Sequence, residues 1–156
     1  MHRMVVSMVM GCCLPMMVTM ASAQQQRKPG LWELTTVTTM EGMPPGGANG
    51  TPHVAPVCFA QEMIDKYGAI VPTISGCKVT NVSVRPGHMT ASMVCSGRMM
   101  GTGELESSWS DPEHATGSIH FKGTAGARTM EWTSRTTAVF KSPDCGAVKP
   151  MPLPNQ

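Results

Sequence analysis

The second half of the chain alternates between apolar and polar residues with a period of two. Over residues 103–109 the odd-numbered residues are apolar or small, and the even-numbered ones are polar. Similar alternation runs over 114–122 and 130–140, with turns expected at 111–113 and 123–126. Side chains of a strand point alternately to the two faces of its sheet, so each segment predicts a β-strand with one buried face.

A turn centred on Pro112 predicts how two of these strands pair. Leu105 then lies opposite Ile119, and Gly103 lies against the ring of Phe121. Large apolar side chains meet in the first pair, and an aromatic ring covers a glycine in the second. Both arrangements favour an antiparallel hairpin.

The first half of the chain carries weaker patterns. A threonine-rich segment at 31–40 predicts a strand, while 41–56 holds four prolines and four glycines and predicts a long loop. Residues 58–67 predict the one short helix, with Gly68 placed to end it. We therefore expect a mainly β fold, in which an antiparallel meander forms a curved sheet, either a half-open barrel or a two-layer sandwich.

The first 23 residues have the three parts of a secretory signal peptide. Arg3 supplies a positive charge, residues 4–20 are largely apolar, and Ala21-Ser22-Ala23 offers a small-residue cleavage site. We expect cleavage after Ala23, which leaves 24–156 as a single domain with no further apolar run of membrane-spanning length. An uncleaved anchor and a lipoprotein modified at Cys12 are the alternatives.

Charge argues against one class of partner. Without Arg3 the mature chain carries eleven basic and ten acidic side chains, with no cluster of lysines or arginines. Nucleic-acid binding needs a basic patch, so we expect no nucleic-acid partner.

Four cysteines follow the signal peptide, and an even number in a small exported domain predicts two disulfides. Pro86-Gly87 predicts a turn, and strands paired about it place Cys77 opposite Cys95. Elimination then pairs Cys58 with Cys145. A zinc site is the alternative, but the cysteines lack the Cys-x-x-Cys spacing typical of such sites.

Several short segments together carry a family resemblance. They are Lys28-Pro29-Gly30-Leu31-Trp32-Glu33 after the signal peptide, Cys58 before a short helix, the Cys77–Cys95 hairpin and a terminal Asp144-Cys145-Gly146. Spread over essentially the whole mature chain, they resemble the exported bacterial proteins grouped as domain of unknown function family 3617. The resemblance implies a periplasmic protein of a Gram-negative bacterium, and it implies no established activity and no catalytic residues.

Aromatic residues on the inward face offer one candidate site. Trp32, Trp109, Trp132 and Phe121 either fill the core or line a cavity for a small apolar ligand, as aromatic residues of curved meanders can do.

Metal binding is the alternative function. A turn at 123–126 places Glu104, His120 and Glu131 in one cross-strand row, where two carboxylates and an imidazole could bind zinc or copper, or face solvent. Met40 and Met43 offer thioether ligands for Cu(I), although methionines also serve as core residues here.

Enzymatic motifs are missing from the sequence. It has no Gly-x-Ser-x-Gly, His-Glu-x-x-His or Ser-x-x-Lys motif and no phosphate-binding glycine loop. We therefore expect no catalytic residues and no cofactor, and an enzyme built on His120 is the weakest hypothesis. The favoured function is a monomeric periplasmic binding or accessory protein that holds a small apolar ligand, or an unknown envelope protein at a sheet edge.

Overall fold

Strands dominate the computed structural model, which describes residues 26–43, 46 and 48–154. The predicted signal peptide, 1–23, lies outside the described residues. The elements are β1 (Gly30–Met40), β2 (Pro52–Phe59), α1 (Gln61–Tyr67), β3 (Cys77–Arg85), β4 (His88–Cys95), β5 (Met99–Ser108), β6 (His114–Ala125) and β7 (Arg128–Ser142).

All seven strands form one open antiparallel sheet in the order β2-β1-β7-β6-β5-β4-β3. The chain makes the β1–β2 hairpin, passes through α1 to the opposite edge, and returns as a five-strand meander until β7 pairs with β1. The predicted mainly β class with one short helix is confirmed. Because β2 and β3 remain edges, the sheet does not close on itself.

The pairing predicted for two hairpins is confirmed. Cys77 lies opposite Cys95 across β3 and β4. Leu105 lies opposite Ile119 across β5 and β6, and the ring of Phe121 covers Gly103 as expected.

The pairing predicted for the β6–β7 hairpin is wrong by two positions. Ala125 lies opposite Arg128, so the turn falls at 126–127, and His120 lies opposite Thr133 instead of Glu131. Gly126 has a φ of +61°, a left-handed conformation that glycine adopts without strain, whereas β6 continues through Gly123.

Two predictions for the first half are also wrong. The expected loop at 41–56 contains most of β2, whose Pro52 and Pro56 are tolerated because β2 is an edge strand. The helix begins at Gln61, three residues later than predicted, since Cys58 still belongs to β2. Gly68 ends the helix with a φ of 60°, as predicted.

The core lies on one face of the sheet, which we call the inner face. A larger cluster surrounds Phe121 and Met89 of the meander, and a smaller one surrounds Trp32 of β1. Helix α1 joins them, because its Tyr67 packs in the larger cluster and its Ile64 in the smaller one.

Both predicted disulfides are present. Cys77–Cys95 joins β3 to β4, and Cys58–Cys145 joins β2 to the segment that follows β7. Beyond this second bridge, the backbone N–H of Met151 donates to the carbonyl oxygen of Cys58 at 3.0 Å, so the C-terminal tail runs beside β2. Disulfides persist in oxidising compartments, so this pair indicates a non-reducing, exported environment.

Within the part of the chain that the structure describes, no helix has the length and apolar character needed to cross a membrane.

Candidate ligand cavity

The middle of the inner face carries small residues where its surroundings carry large ones. Ala115 of β6 lies opposite Ala138 of β7, and Gly117 lies two residues farther along β6. Leu105 and Met89, on the next two strands, are large and buried. A shallow depression therefore forms between the two core clusters.

Two irregular segments cover this depression and turn it into a cavity of about 180 Å³. Ile70 and Pro72 reach it from the connection between α1 and β3, and Met151 reaches it from the C-terminal tail. The apolar walls are Leu34, Ile70, Pro72, Met89, Leu105, Ala115, Ile119, Ala138 and Met151.

The two covering segments are tied to each other. The Thr73 hydroxyl donates to the carbonyl oxygen of Pro152 at 2.9 Å, which joins the α1–β3 connection to the tail. The two covering segments are therefore joined by a hydrogen bond, although neither belongs to a strand of the sheet. The tail is held in addition by the hydrogen bond from Met151 N–H to the carbonyl oxygen of Cys58.

The polar part of the wall consists of Glu106 and the hydroxyl residues Thr36, Ser107, Thr116, Ser118, Ser134 and Thr136. Ser107 donates to the carbonyl oxygen of Thr116 at 3.1 Å, and the hydroxyls of Thr36 and Thr136 lie 2.9 Å apart. When two hydroxyls bond to each other, one of them donates its hydrogen, and the other keeps its own hydrogen free to donate to a further acceptor. The wall is thus mostly apolar, and a hydroxyl of the wall can donate a hydrogen bond to one polar atom of a ligand.

The four aromatic residues expected to line a ligand cavity do not line this one. Trp32 and Phe121 are fully buried, and Trp132 stacks on Phe121 with ring centroids 5.5 Å apart. Trp109 packs between the two clusters and borders a separate cleft beside α1. Their large rings fill the core, whereas this cavity lies where small residues face the cover.

Small residues at inward positions indicate the cavity in the sequence, and the sequence analysis did not use them. Ala115 and Gly117 both occupy inward positions of one alternating strand, and Ala138 occupies an inward position of the next. Two neighbouring strands with small inward residues leave a space that larger neighbours border.

The polar row lies on the opposite, exposed face. Glu104 is opposite His120, as predicted, and the shifted β6–β7 register still brings His120 Nε2 within 2.8 Å of Glu131 Oε1 diagonally. Lys122 Nζ lies 2.9 Å from the same oxygen. Hydrogen bonding from Lys122, with a second bond from His120, lowers the pKa of Glu131.

This arrangement is an ion-pair cluster centred on the Glu131 carboxylate. Among the described residues, no group of three histidine, cysteine, aspartate or glutamate side chains is placed to hold a metal ion. Met40 and Met43 lie at the end of β1 and in the loop after it, with 37% and 58% of their surface exposed. The proposed metal ligands therefore fall into two separate, exposed places.

The amino-acid sequence matches the family model described as "Protein of unknown function (DUF3617)" over residues 27–145. The chain belongs to the DUF3617 family. No curated protein and no solved structure matches it. Every wall residue of the cavity except Met151 falls within the DUF3617 match, so the cavity is built from the family's own domain.

Proposed function

We propose that this DUF3617 protein is a periplasmic binding protein that holds one small apolar molecule between the inner face and its cover. The observation that carries the proposal is the apolar cavity of about 180 Å³. A dry apolar cavity of about 150 Å³ is large enough for benzene. The ligand class is therefore a single-ring or short-chain hydrocarbon with about one polar atom.

Two separate features support the proposed compartment. The signal peptide predicted at 1–23 directs the chain out of the cytoplasm, and two disulfides need an oxidising environment. For a Gram-negative bacterium, as the family resemblance implies, that compartment is the periplasm.

The sheet edges support a ligand more than a protein partner added as a strand. Edge strand β2 contains Pro52 and Pro56, which have no N–H to donate. The other edge, β3, has an irregularity between Thr80 and Ser83, where Asn81 has a φ of 52°. Prolines and bulges are devices that keep edge strands from pairing with other chains.

A calorimetric titration tests the proposal. Toluene and p-cresol, which differ by one hydroxyl, are titrated into protein stripped of bound molecules by unfolding and refolding with its disulfides intact. We expect saturable, one-to-one binding of both probes, because both fit the cavity. Stronger binding of p-cresol would assign a role to the wall hydroxyls.

Matched variants locate the binding. Ala138→Leu fills the cavity from a residue that is only 3% exposed, whereas Ala127→Leu adds the same side chain at an exposed turn. We expect Ala138→Leu to abolish binding and Ala127→Leu to preserve it. Wild-type protein that binds neither probe, or Ala138→Leu protein that binds as well as wild type, would refute the proposal.

A further inference from the structure

A buried arginine lies just before β1. Arg27 is only 4% exposed, and its Cζ atom lies 4.6 Å from the ring centroid of Trp32 and 5.8 Å from that of Trp109. Burial lowers the pKa of Arg27 to about 10, although the side chain stays charged at neutral pH. The indole faces offer a cation some attraction, but they accept no hydrogen bond in the plane of the guanidinium.

Two nitrogen atoms of this guanidinium lack partners. Nε and Nη2 of Arg27 are buried and make no hydrogen bond with any described residue. These atoms form one edge of the planar group, the edge that can donate two parallel hydrogen bonds to a carboxylate or a phosphate. Leaving a buried charge without a hydrogen-bonding partner is costly, so a partner for this edge is expected.

Arg27 borders a cleft of about 180 Å³ that has room for such a partner. Ile64 and Asp65 of α1 form one side, and Arg85 with Trp109 forms another. This cleft shares no wall residue with the apolar cavity. The charged residues that line the cleft are two arginines, Arg27 and Arg85, and one carboxylate, Asp65.

Asp65 does not neutralise Arg27 in this structure. Asp65 Oδ1 accepts a hydrogen bond from Gln61 Nε2 at 2.7 Å, and no ion pair joins it to Arg27 among the described residues. This edge of Arg27 therefore has no hydrogen-bond or ion-pair partner among the described residues.

We propose that this cleft binds a small oxyanion, a carboxylate or a phosphate ester, through the Nε–Nη2 edge of Arg27, with Arg85 adding attraction at the rim. Arginine suits this role because its rigid fork matches both anions in a bidentate geometry. The site is independent of the apolar cavity, and either can exist without the other.

Tryptophan fluorescence reports on the site directly, because Arg27 contacts two indole rings. Butyrate and methyl phosphate are titrated separately at constant ionic strength, so that screening of surface charge stays fixed. We expect a saturable change with at least one anion, and the tighter of the two identifies the ligand class.

Four variants separate a site from general charge effects. Arg27→Met should abolish saturable binding, Arg85→Gln should weaken it several-fold, and Asp65→Asn should tighten it by removing a negative charge. Arg98→Gln removes one exposed positive charge outside the cleft and should leave binding unchanged. Since Arg85 and Asp65 are exposed, their variants test the site even if Arg27→Met fails to fold.

Three results would overturn the proposal. The first is wild-type protein that shows no saturation with either anion. The second is a folded Arg27→Met protein that binds as tightly as wild type. The third is Asp65→Asn protein that loses stability without gaining anion affinity, because Asp65 would then be the partner of Arg27.

Discussion

Replacing Ala138 with valine tests whether the space behind the cover is empty. Ala138 is 3% exposed, lines the cavity and lies opposite Ala115, another small residue. The substitution adds two methyl-sized groups to the inner face. Burying each such group in empty space is worth about 0.8 kcal/mol, so the free energy of unfolding should rise by up to about 1.5 kcal/mol.

Ala91→Val is the matched control for this substitution. Ala91 is also an inward alanine, 6% exposed, but it packs in the larger core cluster opposite Leu105 and lines no part of the cavity. Adding methyl groups to a filled core costs about 1–3 kcal/mol. The two variants should therefore change stability with opposite signs.

Urea unfolding followed by tryptophan fluorescence measures the difference. The protein is stripped of bound molecules and keeps its disulfides, so that both variants and wild type are compared in the same state. For a domain of this size the expected gain in Ala138→Val corresponds to roughly 5 °C in melting temperature. If Ala138→Val destabilises the protein as much as Ala91→Val does, the cavity is already filled by the chain itself and the account of the site is wrong.

Three other outcomes follow from named contacts. Hydrogen bonding from Lys122 lowers the pKa of Glu131 below 4.5, so this carboxylate stabilises the fold above that pH and loses its contribution as the pH falls through the lowered value. An NMR titration of Lys122→Met should therefore return the Glu131 midpoint toward 4.5, and an unchanged midpoint would contradict the assignment. Gly68→Ala should lower the free energy of unfolding by about 1 kcal/mol or more, because φ is +60° and the new Cβ would lie 3.1 Å from atoms of two side chains; urea unfolding without a loss would show that the helix end adapts. Replacing both Cys58 and Cys145 by alanine removes a bridge between residues 87 positions apart and should cost about 4–5 kcal/mol of unfolding free energy. Amide exchange at Met151 and Leu153 should become faster, and unchanged exchange there would show that the tail is held without the bridge.

The sequence predicted the pairing of a hairpin where it contains one clear turn signal between the two strands. The turn at Pro112 placed β5 and β6 in the correct register. The turn at Pro86-Gly87 placed Cys77 opposite Cys95 and hence a disulfide, although an irregularity between Thr80 and Ser83 shifts the pairing by one next to the turn. At the β6–β7 hairpin two glycines compete, Gly123 and Gly126. The ring of Phe121 covers Gly123 inside the strand, a contact that the local pattern does not reveal.

Strand β2 was hidden for a different reason. Its prolines are typical of a loop, and only its position at the edge of the sheet makes them compatible with a strand. That position depends on the β1–β7 pairing, which joins residues about a hundred positions apart. Local patterns carry no information about such a pairing.

The same limit explains why the candidate sites differ from the predicted ones. Large aromatic residues were the visible signal, but a cavity forms where small residues such as Gly117 and Ala138 face a cover of distant segments. A single arginine beside the predicted cleavage site looks like a solvated charge in the sequence. Only the fold shows that Arg27 is buried beside two indole rings.

Identifying the molecules that the protein carries from the cell shows whether the cavity holds a small apolar ligand. Protein purified from the periplasm is extracted with organic solvent, and the extract is examined by gas chromatography and mass spectrometry beside that of Ala138→Leu. We expect one small apolar compound in the wild-type extract and none in the extract of the variant. Its mass should be roughly 100 Da if it fills the cavity as benzene fills a slightly smaller one. An empty wild-type extract, or the same compound from both proteins, would contradict this expectation.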